Sequence, residues 1–351
     1  MRPLRGLDLA REHVARGGEL VLSYSGGKDS TAVALALKAA GLPFRAIFAD
    51  TGWEHPETYR YLREVSPSII GQTVIEVRAE VDLVARAEAH AQRIERRGGK
   101  SMTVEAATEL AALIRSEGAR KAAYAEQFEA ELGHYSAMVR LCLHKIMFPA
   151  QSLRWCTEEL KVWPIAEWLD QNCDDPWIVQ GIRWEESPKR AEATVRETMK
   201  VRGVDLDQEI YRPILDWTER DVIDAHHEAG LEPNRLYLRG HSRVGCWPCI
   251  YARKGEIARL SEKRIAFIER LEAVIAELFA VRPDRTGGAY SNPAWFQAMD
   301  EQNRHACVPI REMVDWSKTE RGGRTYSLFA PADGCMKWGF CEHGRAPEVT
   351  E

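Results

Sequence analysis

The chain has 351 residues, of which 45% are hydrophobic and 29% are charged. This composition excludes a disordered or collagen-like protein and is typical of about two globular domains. The formal net charge of −5 argues against strong unaided binding to nucleic acid. No apolar run is long enough to predict a transmembrane helix, and the N-terminal residues do not resemble a secretory signal, so we expect a cytoplasmic protein.

Short apolar runs alternate with helical patterns along much of the chain. The strand candidates are residues 19–24, 44–49, 72–77, 177–182 and 209–214. The helix candidates between and after them are residues 31–40, a segment that opens at Pro56, and residues 216–229. Strands that alternate with helices are joined by crossover connections. The sequence therefore predicts an α/β fold, an open parallel twisted sheet with helices on both faces.

Residues 82–145 have a different pattern, rich in Ala, Glu and Arg with apolar residues at helical spacing. We predict a helical insertion, which Gly98-Gly99 and Gly118 break into pieces. The favoured interpretation is a solvated elaboration of the core, and the alternative is a lid or a docking surface for a partner. Residues 236–351 form the third region, which carries several cysteines and a long amphipathic helix over residues 255–279.

A glycine-rich segment lies between the first strand candidate and the first helix candidate, with the sequence Ser25-Gly26-Gly27-Lys28-Asp29-Ser30. Open parallel sheets bind ligands at this place. The glycines let backbone N–H groups approach phosphate oxygens, the helix N-terminus attracts an anion, and Lys28 adds a positive charge. Asp29 either helps to hold Mg²⁺ or orients the loop. We expect a nucleotide-binding α/β domain formed by residues 1–81 and 146–235.

This segment resembles the S-G-G-x-D-S pyrophosphate loop (PP-loop) of the ATP pyrophosphatase superfamily. Later stretches resemble motifs of the phosphoadenylylsulfate (PAPS) reductase-like family within it. They are D-T-G-W-E-H-P-E-T at 50–58, R-W-C-T-E-E-L-K at 154–161, G-I-R-W-E-E-S-P-K-R at 181–190, R-P-I-L-D-W-T at 212–218 and G-C-W-P-C at 245–249. The resemblance covers about residues 20–255 and implies an adenine nucleotide α-hydrolase-like fold.

The resemblance implies one of two sulfur chemistries. Some members reduce adenylylsulfate or its 3′-phosphorylated form to sulfite, while others use ATP to activate nucleic acid for sulfur insertion. The reductases typically degrade the Gly-Gly-Lys of the loop and end in E-C-G-L-H. Here Gly26, Gly27 and Lys28 are intact, and residues 339–344 read G-F-C-E-H-G.

We therefore expect an ATP pyrophosphatase that adenylates an acceptor, a nucleic acid, for sulfur insertion. The functional relative it resembles is the ATP pyrophosphatase subunit of DNA phosphorothioation systems. A thioredoxin-dependent adenylylsulfate or phosphoadenylylsulfate reductase is the alternative. A non-catalytic module that uses the nucleotide site as a switch is the third hypothesis.

The resemblance also implies cofactors, partners and site residues. ATP and Mg²⁺ are the expected cofactors, and a cysteine desulfurase and a protein that presents the nucleic acid are the expected partners, with no membrane. The expected catalytic residues are Lys28, Asp29 and Arg183. The expected nucleotide-binding residues are Ser23, Ser25, Gly26, Gly27, Lys28, Asp29, Ser30, Asp50, Thr51, Gly52, Gly181 and Arg190.

Cys246 and Cys249 are separated by two residues, a spacing that lets two thiolates bind one metal centre. The spacing alone is equally that of half a zinc site, half a 4Fe–4S site or a redox pair. The resemblance implies a 4Fe–4S cluster with Cys156 as a third ligand and Cys341 as the fourth. Cys335 is the backup ligand or a sulfur carrier, and zinc is the alternative metal. Three further cysteines are expected to be small apolar residues without a role, namely Cys142, Cys173 and Cys307.

Several charged and aromatic residues near these motifs are secondary candidates. Lys161 and Lys189 are candidate ligands of sulfate or phosphate, and Trp247 is a candidate for stacking on a base. Arg239, His241 and Arg243 are candidates for a local basic patch beside the cysteine pair. His226-His227 is interpreted as a surface pair.

Overall fold

The computed structural model describes residues 1–201, 207–280, 293–299, 305–319 and Trp338. The strands are β1 (Glu19–Ser23), β2 (Arg45–Ala49), β3 (Ile75–Val77), β4 (Pro176–Val179), β5 (Arg196–Lys200), β6 (Asp207–Tyr211), β7 (Phe296–Met299) and β8 (His305–Val308). The helices of the first half are α1 (Leu7–Ala15), α2 (Lys28–Ala39), α3 (Pro56–Arg60), α4 (Ser66–Ile70), α5 (Leu83–Glu95), α6 (Val104–Leu132) and α7 (Ala137–Lys145). Those of the second half are α8 (Trp155–Thr157), α9 (Trp163–Asn172), α10 (Pro188–Ala191), α11 (Glu219–Glu228), α12 (Arg235–Leu238), α13 (Lys254–Ile257), α14 (Glu262–Ala280) and α15 (Ile310–Ser317). Single π-helical turns join α3 to α4 and α8 to α9.

A six-stranded sheet in the order β3-β2-β1-β4-β6-β5 organises the chain. The pairs β3–β2, β2–β1, β1–β4 and β4–β6 are parallel, which confirms the predicted α/β class. The edge strand β5 is antiparallel to β6 and was not predicted. Its residues are mostly exposed and polar, so they lack the apolar pattern that marks a buried strand.

Helices cover both faces of the sheet, as predicted. Successive side chains of a strand point to opposite faces. Leu20 and Leu22 of β1 accordingly join a core with α2 and α11, while Val21 packs with Ile165 and Leu169 of α9. Burial on both faces makes β1 an almost continuous apolar run and leaves its carboxyl end as the place where polar groups gather.

The predicted helical insertion contains α5, α6 and α7. The chain breaks at Gly98-Gly99 as predicted, but the predicted break at Gly118 is wrong, because Gly118 lies inside α6, a single helix of 29 residues. A Cβ atom at Gly118 would lie 2.2 Å from the Cβ of Ala87 on α5. The glycine therefore permits close packing of α5 against α6 rather than ending a helix.

A second core lies beneath α7 and α14 and includes Trp53, Phe267 and Trp295. The helix predicted over residues 255–279 is two helices, α13 and α14. The hydroxyl of Ser261 accepts a hydrogen bond from the backbone N–H of Arg264 at 3.3 Å and so begins α14 anew. Among the described residues, no helix combines the length and the apolar character needed to cross a membrane.

Candidate nucleotide site and cysteine site

The loop predicted to bind phosphate connects β1 to α2. Gly27 is the residue before the first turn of α2, and Gly26 has φ +66°, a left-handed conformation that favours glycine. The hydroxyl of Ser30 donates to the carbonyl of Gly27 at 3.0 Å and holds the turn closed. The loop amides and the positive end of α2 consequently lie at the carboxyl end of the central strand.

Lys28 lies at the start of α2 and is buried. Its Nζ is 3.2 Å from Asp29 Oδ2 and 3.8 Å from Glu219 Oε1. Its backbone N–H donates to the hydroxyl of Tyr237 at 3.1 Å, and its Nζ lies 5.3 Å from the centroid of that ring. Sequence reasoning missed Tyr237, since it lies 209 residues further along the chain and carries no local motif.

Asp29 is joined to the stretch 181–190. The Nε of the buried Arg183 donates to Asp29 Oδ1 at 2.6 Å, and the same guanidinium pairs with Glu185. A Cβ atom at Gly181 would lie 2.9 Å from the backbone of Asp29, so this glycine permits the close approach of the two segments. Two stretches predicted to form one site are thus in contact.

The other predicted residues of this stretch lie apart from the loop. The guanidinium of Arg190 pairs with Glu186. In the described part of the chain no hydrogen bond or ion pair connects Arg190 or Lys189 to residues 25–30, so their predicted ligand contacts remain predictions.

The turn Asp50-Thr51-Gly52 follows β2 and forms a compact polar unit. Asp50 Oδ1 accepts from the hydroxyl of Tyr59 at 2.6 Å and from the N–H of Gly52 at 2.9 Å. Glu54 accepts from the hydroxyl of Thr51 at 2.8 Å and from Tyr59 at 3.1 Å. Burial, followed by the charges of Glu54 and Asp50, raises the pKa of Tyr59 well above its usual value. These hydrogen bonds connect the turn to Glu54 and to Tyr59 of α3.

The residues that follow this turn, 53–55, are bonded to the loop of residues 245–249, here called the cysteine loop. Glu54 and Cys246 form an isolated antiparallel bridge, and the N–H of His55 donates to the carbonyl of Gly245 at 2.9 Å. The N–H of Trp247 donates to the carbonyl of Trp53 at 2.9 Å. The predicted nucleotide site and the predicted metal site are therefore parts of one connected structure.

Cys246 lies beside one cation and one carboxylate. Its Sγ is 3.8 Å from Lys161 Nζ and 3.8 Å from Glu54 Oε1. Burial raises the pKa of the Cys246 thiol, against the influence of Lys161. The charge of Cys246 is in turn the main cause that raises the pKa of Lys161, followed by that of Glu54. Lys161, a candidate phosphate ligand by sequence, thus faces the cysteine loop.

The three predicted cysteine ligands lie within electrostatic reach of one another. Cys156 and Cys249 both contribute to the raised pKa of Cys246. Cys249 Sγ accepts from the N–H of Tyr251 at 3.4 Å and lies 3.7 Å from an Nη of Arg243. Within the described residues, no three His, Cys, Asp or Glu side chains have an arrangement that holds a metal ion. The other two predicted cysteines, Cys341 and Cys335, lie outside the described residues.

A second cation, Arg264 of α14, is buried behind the cysteine loop. Its Nε donates to the carbonyl of Trp247 at 2.8 Å, and its guanidinium carbon lies 3.7 Å from the ring centroid of Trp53. Burial lowers the pKa of Arg264 to about 9, while Cys246 favours its charged form. One of its Nη atoms has no hydrogen-bond partner among the described residues. Sequence reasoning missed Arg264, which occupies a polar position in an otherwise apolar helix face.

Two of the secondary predictions are settled by burial. The interpretation of His226-His227 as a surface pair is wrong for His226, which is fully buried on α11 and has its pKa lowered to about 4 by that burial. Cys142 is buried in the core as predicted. Trp247 packs 4.6 Å from the ring of His55.

The parallel sheet, the glycine loop before α2 and the contacts of Asp29 define a nucleotide-binding α/β enzyme. The chain belongs to the phosphoadenosine phosphosulfate reductase domain family, whose model matches residues 19–252. An uncharacterized 37.8 kDa protein of Escherichia phage 186 is 31% identical over 88% of this chain and 91% of its own length. The adenosine 5′-phosphosulfate reductase of Neisseria meningitidis is 37% identical over 21% of this chain and 29% of its own length. The crystal structure of the PAPS reductase from Candida auris aligns with 69% of this chain and 88% of its own, at 15% identity and a TM-score of 0.40.

Proposed function

We propose that the protein is an ATP pyrophosphatase that activates a nucleic-acid acceptor for sulfur insertion. The observation that carries this proposal is the complete loop at residues 25–30, with Lys28 at the N-terminus of α2 and the loop glycines intact. A nucleotide without β and γ phosphates would leave these loop donors without a phosphate to bind. A triphosphate supplies the negative charge that they are placed to bind.

In the proposed reaction an acceptor oxygen attacks the α phosphorus of ATP. The bond between the α phosphorus and the bridging oxygen breaks, so that the acceptor is adenylated and pyrophosphate leaves with the bonding electrons. Negative charge grows on the leaving group, and Lys28 with the loop amides stabilises it in the transition state. Mg²⁺, when bound, neutralises further phosphate charge. The outer sulfur of a persulfide supplied by a cysteine desulfurase then attacks the adenylated centre and displaces AMP. A second thiol cleaves the resulting S–S bond, so that the sulfur stays on the acceptor and the carrier cysteine leaves as a disulfide with that thiol.

Asp29 and Arg183 are proposed to keep the loop in its binding geometry. Arg183 Nε donates to one carboxylate oxygen of Asp29, and Lys28 Nζ lies near the other oxygen. A bound phosphate competes with Asp29 for Lys28, and Arg183 then retains Asp29. Tyr237 holds the N–H of Lys28 until a phosphate oxygen accepts from it.

We further propose that the cysteine site carries an iron–sulfur cluster held by Cys156, Cys246, Cys249 and the thiol of Cys341, with Cys335 as the alternative. Cysteine thiolates are the usual ligands of such a cluster, and three of the proposed ligands lie near one another. Lys161 and Arg264 support it because both contact the cysteine loop, and cations stabilise an anionic centre. When bound, the cluster would carry sulfur or electrons for the insertion step. A zinc ion held by the same thiols is the alternative.

Reduction of a sulfonucleotide is the second candidate function. Membership in the reductase domain family and the match to the Neisseria enzyme favour it. Arg183 would then bind the sulfate, and the thiolate of Cys341 or Cys335 would attack the sulfur and break its bond to the phosphate oxygen, so that AMP or its 3′-phosphorylated form leaves. One thioredoxin thiol would attack the sulfur of the S-sulfonated cysteine and release sulfite, and the second thioredoxin thiol would reduce the mixed disulfide.

One experiment separates the two functions. Protein purified without oxygen, with its iron, zinc and sulfide measured, is titrated with ATP, adenylylsulfate and phosphoadenylylsulfate, and pyrophosphate and sulfite are assayed. We expect tight ATP binding, pyrophosphate release in the presence of nucleic acid, and about four irons per chain. Sulfite formation with thioredoxin and a preference for the sulfonucleotides would overturn the proposal.

The matched variants are Lys28→Ala and Lys263→Ala. Lys28→Ala removes the charge at the loop, and we expect it to slow pyrophosphate release by about 100-fold or more, the usual effect of removing a transition-state donor. Lys263 is exposed on α14, so Lys263→Ala should leave the rate unchanged. Equal rates for the two variants would contradict the role given to Lys28.

A further inference from the structure

A cleft lies beside the segment that carries Cys156, and none of the predicted catalytic, nucleotide-binding or metal-binding residues that the structure describes lines it. It lies between the end of α7, the residues that lead into α8, the start of α9 and the end of β5. Its volume is about 970 Å³. Small-molecule pockets span about 300–1,000 Å³, so the cleft is at the upper end of that range.

Two indole rings form part of the wall of this cleft. Trp155 is 5% exposed, and Lys145 Nζ lies 5.7 Å from the centroid of its ring. Trp163 is half-buried at the start of α9. Both indole N–H groups are buried, so a ligand in the cleft meets the ring of the half-buried Trp163 rather than its N–H. An indole ring at a cleft surface can stack on a nucleobase of any sequence.

Three lysine or arginine residues and two carboxylates line the cleft, which leaves a local excess of positive charge. Arg154 and Lys200 are exposed, and the described residues include no ion-pair partner for either of them. Lys145 forms an ion pair with Glu159 at 2.7 Å. Glu158 is the second acidic residue that lines the cleft. Exposed cations of this kind can contact the phosphates of a nucleic-acid backbone.

Trp155 and Thr157 both line the cleft, and Cys156 stands between them in the chain. A ligand in the cleft therefore lies beside the segment whose thiol is proposed to serve sulfur transfer. We infer that this cleft binds a single-stranded nucleic-acid segment, with phosphates at Arg154 and Lys200 and a base at Trp163. The identification of this segment as the acceptor rests on the proposed function, whereas the binding itself does not.

The test measures binding of fluorescent single-stranded 12-mers of DNA and RNA to the anaerobically purified full-length protein. The double variant Arg154→Glu, Lys200→Glu should weaken binding by about tenfold or more, because two phosphate contacts are replaced by charge repulsion. The salt dependence of binding should also fall. The matched control is Arg93→Glu, Lys263→Glu, which makes the same charge change at exposed residues that do not line the cleft. The single variant Trp163→Ala should weaken binding about fivefold or more with an unchanged salt slope.

The outcomes are distinct. Equal weakening by the two double variants would show nonspecific charge attraction and overturn the inference. The inference would also be overturned if AMP displaced the 12-mer at a concentration similar to that of the nucleotides in the 12-mer. The cleft would then be a site for free nucleotides. ATP binding by the Arg154→Glu, Lys200→Glu variant should stay within about twofold of the unmodified protein, because neither residue belongs to the loop. Absence of pyrophosphate release alongside cleft-dependent 12-mer binding would overturn the proposed function and leave this inference standing.

Discussion

At the scale of single residues, close backbone approach shapes the site as much as charge does. A Cβ atom at Gly52, which has φ +66°, would lie 2.4 Å from the Cα of Ser136. The hydroxyl of Ser136 donates to the carbonyl of Gly52 at 2.8 Å, so the turn after β2 rests directly on the start of α7. Gly181 plays the corresponding part for the loop before α2.

Gly181→Ala tests this close approach. The added methyl group would lie 2.9 Å from the backbone of Asp29 and Ser30, so the loop must shift and the ion pair of Asp29 with Arg183 must lengthen. We expect ATP binding to weaken by about tenfold or more while the melting temperature falls by only a few degrees. Isothermal titration calorimetry and thermal unfolding measure the two effects.

The control for that substitution is Gly255→Ala. Gly255 lies within α13, and its added methyl group would meet the flexible end of Arg259 at 3.4 Å. Alanine also has the higher helix propensity. ATP affinity that fell equally in both variants would show that the packing of Gly181 is not what sets the loop.

At the scale of elements, a buried carboxylate connects α14 to the segments that follow it. Glu272 Oε1 accepts from the backbone N–H of Trp295 at 2.8 Å and of Ile310 at 3.1 Å. Burial raises the pKa of Glu272 to about 7, and the nearby charge of Glu269 acts in the same direction. This side chain holds the start of β7 and the start of α15 against the second core.

The raised pKa makes this anchor sensitive to pH. In the unfolded chain the same carboxyl titrates near 4.5. A folded pKa above the unfolded value means that the native state binds more protons between these limits. The contribution of Glu272 to the free energy of unfolding is therefore fully present below about pH 4.5 and is lost as the pH rises through about 7. Its size is at most about 3 kcal/mol.

Glu272→Gln removes the titrating carboxyl group and keeps an oxygen that can accept the two backbone hydrogen bonds. Urea unfolding at pH 5 and pH 8 should show that the stability of the unmodified protein relative to this variant falls between the two values. Glu262→Gln is the control on the same helix, because a hydrogen bond from Arg311 lowers the pKa of Glu262 and its titration lies below this range. A Glu272→Gln difference that did not change with pH would contradict the assignment.

At the scale of the whole molecule, Trp338 packs beside residues that contact the loop before α2. Its ring is 2% exposed and lies 5.2 Å from the ring of His226 and 5.9 Å from that of Tyr237. His227 Nε2 lies 2.8 Å from the carbonyl of Trp338. Since Tyr237 accepts from the N–H of Lys28, one chain of contacts runs from Trp338 to the phosphate loop.

Trp338→Ala should therefore affect two properties at once. Loss of a buried indole costs about 3 kcal/mol or more in stability, and the freed Tyr237 should weaken ATP binding several-fold. Trp316→Ala is the control, because Trp316 is 44% exposed on α15. If Trp338→Ala lowered stability but left ATP affinity intact, the connection to the loop would be refuted.

The α/β class, the position of the glycine loop and the family resemblance were predictable from the sequence, because they depend on local patterns. The period of apolar residues marks β1 and α2, and the loop motif is six consecutive residues. The contacts of Tyr237 with Lys28 and of Arg264 with the cysteine loop follow only from the tertiary structure. The same is true of the approach of Lys161 to Cys246 and of the place of Gly118 inside a helix. These features depend on contacts between segments that are far apart in the chain. The shape and charge of the contacting segment decide them, and no local sequence pattern predicts such a contact.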